Sequence, residues 1–301
     1  NADLAMYLAK ARGKNRYELY EPGMHELALR RLDLKGALER AIAREELEVH
    51  YQPIVQLDDG SVDGVEALVR WRGPDGQFVP LPELIPLAEE TGLIVSLGRL
   101  VLERACHDLA GWRRDLEDPD LRLAVNVSAV QLEHGTLVEA VERALRGSGL
   151  LPGSLILEIT ESALLTESLA SLRTVRQLRR RGIRLALDDF GTGYSSLARL
   201  GRLPVDMVKI DRSFIAALGH DREAALVQTI LDLARTMHLE VVAEGIETEA
   251  QLTALRARGA TVGQGYYFSR PVPAEAIAPI LAAGRLPLRQ RRRPRAVASG
   301  A

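Results

Sequence analysis

From residue 121 onward the chain repeats one unit, a short aliphatic run followed by a longer stretch with apolar residues at helical spacing. The strand-like runs are Leu121–Val127, Leu155–Thr160, Arg184–Asp188, Met207–Asp211, Glu240–Glu244 and Thr261–Phe268. Helical patterns lie at Thr136–Arg146, Leu169–Arg181, Ala198–Leu203, Glu223–Met237, Glu249–Arg258 and Ala274–Ala283. Units of this length imply parallel strands joined by right-handed crossovers. Parallel strands buried on both faces read as continuous Val, Ile and Leu runs, and an apolar content of 47% with only 4% aromatic fits that aliphatic core. The helix ends are signed as well. Thr248-x-x-Gln251 has the form of a capping box, and Arg179-Arg-Arg-Gly182 and Arg256-Ala-Arg-Gly259 place cations in a last turn with glycine after it.

The first part of the chain differs. Leu27–Arg44 is helical, with Leu27, Leu34, Leu38 and Ile42 on one face. Val49–Leu57 and Val62–Trp71 are strand-like, and Asp58-Asp59-Gly60-Ser61 between them signals a hairpin, hence an antiparallel pair. Pro82–Gly92 and Leu97–Trp112 are then helical. Eight strands in about 250 residues, with one antiparallel hairpin near the start, favour an α/β fold of the modified (β/α)8 barrel type. An open doubly wound sheet is the alternative.

Charge and cysteine content exclude several classes. Residues 285–295 carry six Arg and no acid, which leaves 33 basic against 41 acidic groups elsewhere. Such a body argues against a nucleic-acid polymer as partner, and a phosphate substrate here would need metal ions as mediators. The single cysteine, Cys106, rules out a disulfide framework or Cys-based zinc and reads as a small packed hydrophobe. No apolar run is long enough to span a membrane. The chain begins at Asn rather than Met and reads as part of something longer, with residues 1–24 as the remnant of a preceding domain plus linker. The expected barrel unit is 25–284, and 285–301 is expected to be a disordered basic tail.

The strands break their apolar pattern near their C-terminal ends: Glu66, Asn126, Glu158, Asp188, Lys209 with Asp211, Glu244 and Gln264. Active sites of (β/α)8 enzymes lie at that end of the barrel. Carboxylates buried there must be paired or metal-bound, and all-oxygen ligands suit Mg²⁺ or Mn²⁺. Any one of these residues also fits a structural ion pair, but seven on successive strands do not. Asp188 and Asp189 share a site only if the strand stops between them, and Gly191 and Gly193 allow such a stop. Two cations bridged there would suit in-line phosphoryl displacement, with Lys209 positioning water or offsetting charge. The six histidines show no metal-ligand spacing.

Glu66-Ala67-Leu68, followed by Val69-Arg70-Trp71, resembles the EAL-domain family of cyclic-di-GMP phosphodiesterases. The likeness covers about residues 27–284 and continues in order through Tyr51-Gln52-Pro53-Ile54, Leu87-Ala-Glu-Glu-Thr-Gly92, Asn126-Val-Ser128, Glu158-Ile-Thr-Glu161-Ser162, Asp188 to Ser196, Lys209-Ile-Asp211, Ala243-Glu-Gly-Ile-Glu247 and Gln264 to Pro271. The resemblance implies that Glu66, Asn126, Glu158 and Asp188 hold one divalent cation, and Asp188, Asp189 and Glu244 a second. Lys209 would orient the attacking water, with Glu66 and Glu244 beside it as catalytic carboxylates. Gln52, Leu68 and Arg70 would contact substrate, and Asp211, Glu247 and Gln264 would line the pocket and hold waters. Glu161 would steady the loop through Phe190, Gly191, Thr192 and Gly193, which would couple the site to a homodimer contact through the barrel. The implied reaction opens one phosphodiester bond of cyclic di-GMP to give linear pGpG; a silent receptor of the same nucleotide, or an unrelated lyase barrel, are the competing readings. Leu84 departs from the family's usual Phe. Residues 2–16 resemble the end of a GGDEF domain without its motif, which implies an upstream GGDEF or sensor domain in a bacterial protein. The implied location is cytoplasmic, free or as the inner part of a membrane-anchored protein.

Overall fold

The computed structural model describes residues 24–165, 168–191 and 203–288. The segment 1–23, the loop positions Thr192 and Gly193, all but the last residue of the helix expected at Ala198–Leu203, and the residues beyond 288 lie outside the description.

The hairpin signal is realised. β1 (Glu48–Gln56) and β2 (Val62–Arg70) pair antiparallel from Glu48↔Arg70 to Val55↔Val62, and in the turn Asp59 Oδ1 accepts from the Ser61 amide at 2.9 Å. From β2 a parallel series runs through β3 (Arg122–Val127), β4 (Leu155–Thr160), β5 (Arg184–Phe190), β6 (Met207–Ile210), β7 (Glu240–Ala243) and β8 (Val262–Gly263). β8 then pairs antiparallel with β1 at Val55↔Gly263 and Gln56↔Val262. Strands β1 to β8 therefore close into a (β/α)8-type barrel in which β1 runs against both neighbours. A two-residue strand, β9 (Val272–Pro273), pairs with β1 at His50 and Tyr51, farther along the edge that β8 occupies.

Helices cover the outside: α1 (Met24–Ala43), α2 (Leu81–Thr91), α3 (Ile94–Leu116), α4 (Ala129–Glu133), α5 (Leu137–Ser148), α6 (Glu161–Leu165), α7 (Leu169–Arg180), α8 (Arg212–Ala216), α9 (Asp221–Thr236), α10 (Glu249–Ala257) and α11 (Ala274–Ala282). Outward strand residues such as Leu123, Val125, Leu157, Leu185, Leu187 and Val208 pack with the helices in one apolar cluster. Each such side chain, fully buried, stabilises the fold by about 1.5–3 kcal/mol. Inside the barrel Ile54, Ala124, Ile156, Ala186, Met207, Val242 and Val262 form a separate apolar plug. Near the opposite end of the barrel from its mouth, Arg122 bridges Asp63 and Glu240, and Arg184 reaches Glu240 at 2.6 Å. Burial alone would raise the Glu240 carboxyl, but the two guanidinium groups hold it below the usual range. On the outside, Arg31 of α1 grips both oxygens of Glu90 on α2 at 2.8 and 2.9 Å.

Three expectations need correction, and three short helices were not foreseen. The last barrel strand is Val262–Gly263, not Thr261–Phe268, because the chain turns at Gly265, with Phe268 and Ser269 amides donating to its carbonyl. β5 does not stop between Asp188 and Asp189. It carries a register irregularity between Leu187 and Phe190, and Asp189 itself takes φ +55°, so the turn is made by the aspartate ahead of the glycines. Arg285–Leu288 belongs to the folded body: Arg285 reaches Asp59 at 2.9 Å, the Leu286 amide donates to Gly60 O, and Leu286 and Leu288 pack on the core. The short helices α4, α6 and α8 went unread because five residues hold too little of a 3.6-residue period to show it.

Gly265 sits so close to the preceding loop that a Cβ there would stand 2.1 Å from the Ile246 carbonyl oxygen. Backbone cannot yield as a side chain can. We expect Gly265→Ala to destabilise the protein by about 3 kcal/mol, the upper end of the range for overpacking, measured by urea unfolding; an unchanged midpoint would contradict the close approach.

Candidate active site

Side chains two residues apart on a strand share a face. One such step toward the mouth from the apolar plug, every strand presents a polar group: Asn126 beyond Ala124, Glu158 beyond Ile156, Asp188 beyond Ala186, Lys209 beyond Met207, Glu244 beyond Val242 and Gln264 beyond Val262. β1 runs the other way, so its polar residue, Gln52, precedes Ile54 by two and pairs with Glu66 of β2. The polar layer thus lies at the C-terminal ends of the parallel strands.

Lys209 is its centre and is 1% exposed. Its Nζ lies 2.6 Å from Glu244, 2.7 Å from Glu158, 3.4 Å from Asp188 and 3.7 Å from Glu66. Glu66 also accepts from Asn126 Nδ2 at 2.7 Å and from Gln264 Nε2 at 2.6 Å. Gln264 Nε2 reaches Glu244 at 3.2 Å, while its buried Oε1 has no partner among the described residues. Asp188, Asp189 and Glu244 each offer an oxygen within 4.8 Å of the others. The φ +55° of Asp189 is what turns neighbouring aspartates toward one point.

One ammonium cannot balance this much acid. Burial, then the nearby Glu66, raises the Glu158 carboxyl well above its ordinary value. Burial pushes Glu244 up to about 8, only partly offset by Lys209, and burial with Asp188 alongside raises Asp189. Burial also works against Glu66, but Lys209 and the two amide donors outweigh it and hold that carboxyl low. Burial opposes the charge on Lys209 as well; the surrounding carboxylates win and raise its pKa well above normal. Excess carboxylate of this kind is relieved by protons or by cations. An all-oxygen donor set with an unpartnered buried amide oxygen beside it fits a hard divalent ion.

The remaining expected residues fall into three groups. Leu68 and Arg70 share the Glu66 face of β2, and Gln52 donates to the Ser269 carbonyl at 3.0 Å. Arg70 is half-buried, which lowers its pKa, and its Nη1 donates to Val69 O at 2.8 Å. Asp211 caps α8, accepting from the Ser213 amide at 3.0 Å, while lying close enough to Asp189 to raise its pKa. Glu247 is exposed, and its side chain makes no hydrogen bond or ion pair among the described residues; only its amide engages, donating to Gln251 at 2.8 Å. Glu161 is buried beneath the loop and accepts from the Gly191 amide at 3.3 Å. The Phe190 ring packs in the outer core.

Residues not singled out from sequence complete the mouth. Glu66, Leu68 and Asn126 open onto a cavity of about 670 Å³ walled by Leu81, Ile85, Ile94, Leu97 and Val101, with Glu89 and Gln131 as polar members. Burial raises the Glu89 carboxyl, with Ser128 as its hydrogen-bonding neighbour. After β8, Arg270 stacks over the half-exposed Tyr266 ring at 4.3 Å, with Tyr266 near Arg70 of β2. Ser128 and Gln131 form a capping box at the start of α4, and a cavity between elements leaves no mark in a one-dimensional pattern.

These features define a (β/α)8 barrel protein with an acidic, cation-competent centre at its C-terminal mouth. More particularly, the chain belongs to the EAL domain family, whose model matches residues 35–271. It is 46% identical over 276 residues to the bifunctional diguanylate cyclase/cyclic di-GMP phosphodiesterase MucR of Pseudomonas aeruginosa, which is 91% of this chain and 40% of that protein. It is 43% identical over 291 residues to the cyclic di-GMP phosphodiesterase NbdA of the same organism, 95% of this chain and 36% of that protein. The chain thus spans well under half the length of these relatives. The solved structure of the PaMucR phosphodiesterase in complex with c-di-GMP superposes with a TM-score of 0.77 at 46% identity, covering 81% of this chain and 99% of that one. No helix among the described residues is long and apolar enough to cross a membrane.

A divalent cation held by Asp188, Asp189 and Glu244 would need Glu244 as carboxylate, whereas without one burial pushes that carboxyl up to about 8. Mg²⁺ binding at pH 7 is therefore expected to release a proton, and affinity to rise with pH until it levels above about 8. The raised carboxyl also makes the metal-free fold lose stability as pH climbs from the ordinary carboxylate range through about 8. Calorimetry in two buffers of different ionisation enthalpy measures the release; identical heats in both would contradict the assignment.

Proposed function

We propose that the barrel mouth hydrolyses one phosphodiester bond of cyclic di-GMP, giving linear pGpG, with two divalent cations, Mg²⁺ or Mn²⁺, held by its carboxylates. The observation that carries this reading is the crowding of four carboxylates around the single charge of Lys209, in a chain whose solved relative holds that nucleotide. Asp188, Asp189 and Glu244 would form one cation site, and Glu66, Asn126, Glu158 and Asp188 the other. When bound, such ions act as Lewis acids that activate water and offset charge on the phosphoryl oxygens.

The chain's own residues do the rest. Lys209, fixed by Glu158 and Glu244, orients the attacking water and adds positive charge beside the phosphoryl group. Arg70, on the same strand face as Glu66, grips a phosphate of the substrate. The apolar cavity beyond Leu68 receives a guanine ring, and Gln52 anchors the far side through Ser269. Glu161 steadies the Phe190–Gly193 loop. The barrel unit, which takes in Arg285–Leu288 at its end, belongs to a cytoplasmic protein with a GGDEF or sensor domain ahead of it, and pairs with a second copy through the barrel.

Purified chain with Mg²⁺ or Mn²⁺ should convert cyclic di-GMP to pGpG; binding without turnover would favour a silent receptor, and no binding an unrelated barrel enzyme. Glu66→Gln and Asp188→Asn keep side-chain volume, so each should reduce turnover by at least about a hundredfold with the fold intact by circular dichroism. Near wild-type rates would refute the cation assignment. Lys209→Met should lower kcat by a similar factor while leaving nucleotide affinity within about threefold; the reverse pattern would make it a binding residue.

A further inference from the structure

Among the described residues, two acids line the large cavity, Glu66 and Glu89, and the proposed chemistry uses only Glu66. Leu81, Ile85 and Glu89 follow one another at four-residue intervals along α2, so they share a helix face, and all three line the cavity. The Glu89 carboxylate therefore ends a row of aliphatic side chains, with Leu97 and Val101 of α3 lining the same space. It is half-buried and makes no ion pair among the described residues, whereas the next residue, Glu90, is held by Arg31.

The other polar side chains of this cavity are engaged with protein partners. Glu66 accepts from Asn126 at 2.7 Å and from Gln264 at 2.6 Å. Ser128 and Gln131 close the capping box of α4, and the Thr160 and Ser162 hydroxyls lie 3.2 Å apart. Glu89 has the Ser128 hydroxyl as its hydrogen-bonding neighbour. One hydroxyl fills one of about four acceptor positions on a carboxylate. Burial raises the Glu89 carboxyl, so its charged form gains from any further donor that enters the cavity. An apolar chamber with such an acceptor in its wall suits a heterocycle that carries adjacent N–H groups. Guanine presents N1–H and an N2 amine side by side, the pair a carboxylate takes in bidentate fashion. Adenine has a lone pair at N1 and no N2 amine, and would set that lone pair against the charge.

We propose that Glu89 reads the edge of a guanine in the large cavity, accepting from N1–H and from the N2 amine, and so selects guanine over other purines. The inference rests on the reading of the mouth as a cyclic-di-GMP site, and it assigns base selectivity to a residue that holds no cation.

The full chain with Mg²⁺ is assayed on cyclic di-GMP and on cyclic di-IMP, which lacks only the N2 amine of each base. The readout is kcat/KM, or Kd where the nucleotide binds without turnover. Wild type should prefer cyclic di-GMP by at least about tenfold, the worth of one hydrogen bond to a charged acceptor. Glu89→Gln keeps the side-chain volume but turns an N–H toward the N2 amine. It should lower kcat/KM at least about tenfold more on cyclic di-GMP than on cyclic di-IMP, bringing the two substrates level, and its turnover of cyclic di-IMP reports an intact fold. Glu103→Gln on α3 should keep the wild-type preference. A residue that only steadied Ser128 would lower both substrates alike. An undiminished preference in Glu89→Gln, an equal loss on both substrates, or no preference in wild type would overturn the role of Glu89 while leaving the hydrolysis reading intact. A wild type that neither binds nor cleaves cyclic di-GMP would overturn both.

Discussion

The structure depends on how eight strands are stacked in register. One layer of inward residues is apolar, from Ile54 to Val262, and the next layer toward the mouth is polar on every strand. Because inward positions recur every second residue, a slip of one residue in any strand would carry its acid to the helix side and its aliphatic residue into the centre. The parallel pairings Asn126↔Glu158 and Thr160↔Asp188 show how this register sets neighbouring polar groups side by side. The plug beneath excludes water from one side of the polar layer. That exclusion is why burial dominates the protonation of Glu158 and Glu244.

Lys209 resolves part of the resulting electrostatic conflict. Within this layer it is bonded to partners from β4 and the end of β7 and lies near those from β2 and β5. Removing its charge would leave buried acids opposed, which ordinarily destabilises by several kcal/mol. The same lysine cannot satisfy all of them. A centre assembled this way is stable enough to fold and yet retains appetite for further positive charge, and these two properties come from one arrangement.

Much of this was legible in the chain. Glu66, Asn126, Glu158, Asp188, Lys209, Glu244 and Gln264 interrupt aliphatic runs, and interruption of a buried strand is a signal that a one-dimensional reading can register. The hairpin at Asp58–Ser61 and the capping box at Thr248 are local chemistry and were equally visible. What escaped depends on three-dimensional crowding. Gly265 ends the last strand because of the Ile246 backbone, which lies some twenty residues away in sequence. The bulge at Asp189 is a backbone compromise that glycine content alone would have placed two residues later. Glu247 is exposed beside the α10 cap, and only its amide engages a described partner.

The reversed direction of β1 has an effect beyond barrel closure. Since Glu48 lies opposite Arg70, the polypeptide enters the barrel at its open rim rather than beneath its floor. The helix that delivers it, α1, is clamped to α2 through Arg31 and Glu90, and the residue before Glu90 forms part of the large cavity's wall. A twist applied to the incoming helix would therefore be felt first at the doorway of the large cavity, with the guanidinium–carboxylate pairs Arg31–Glu90 and Arg30–Glu83 as the lever.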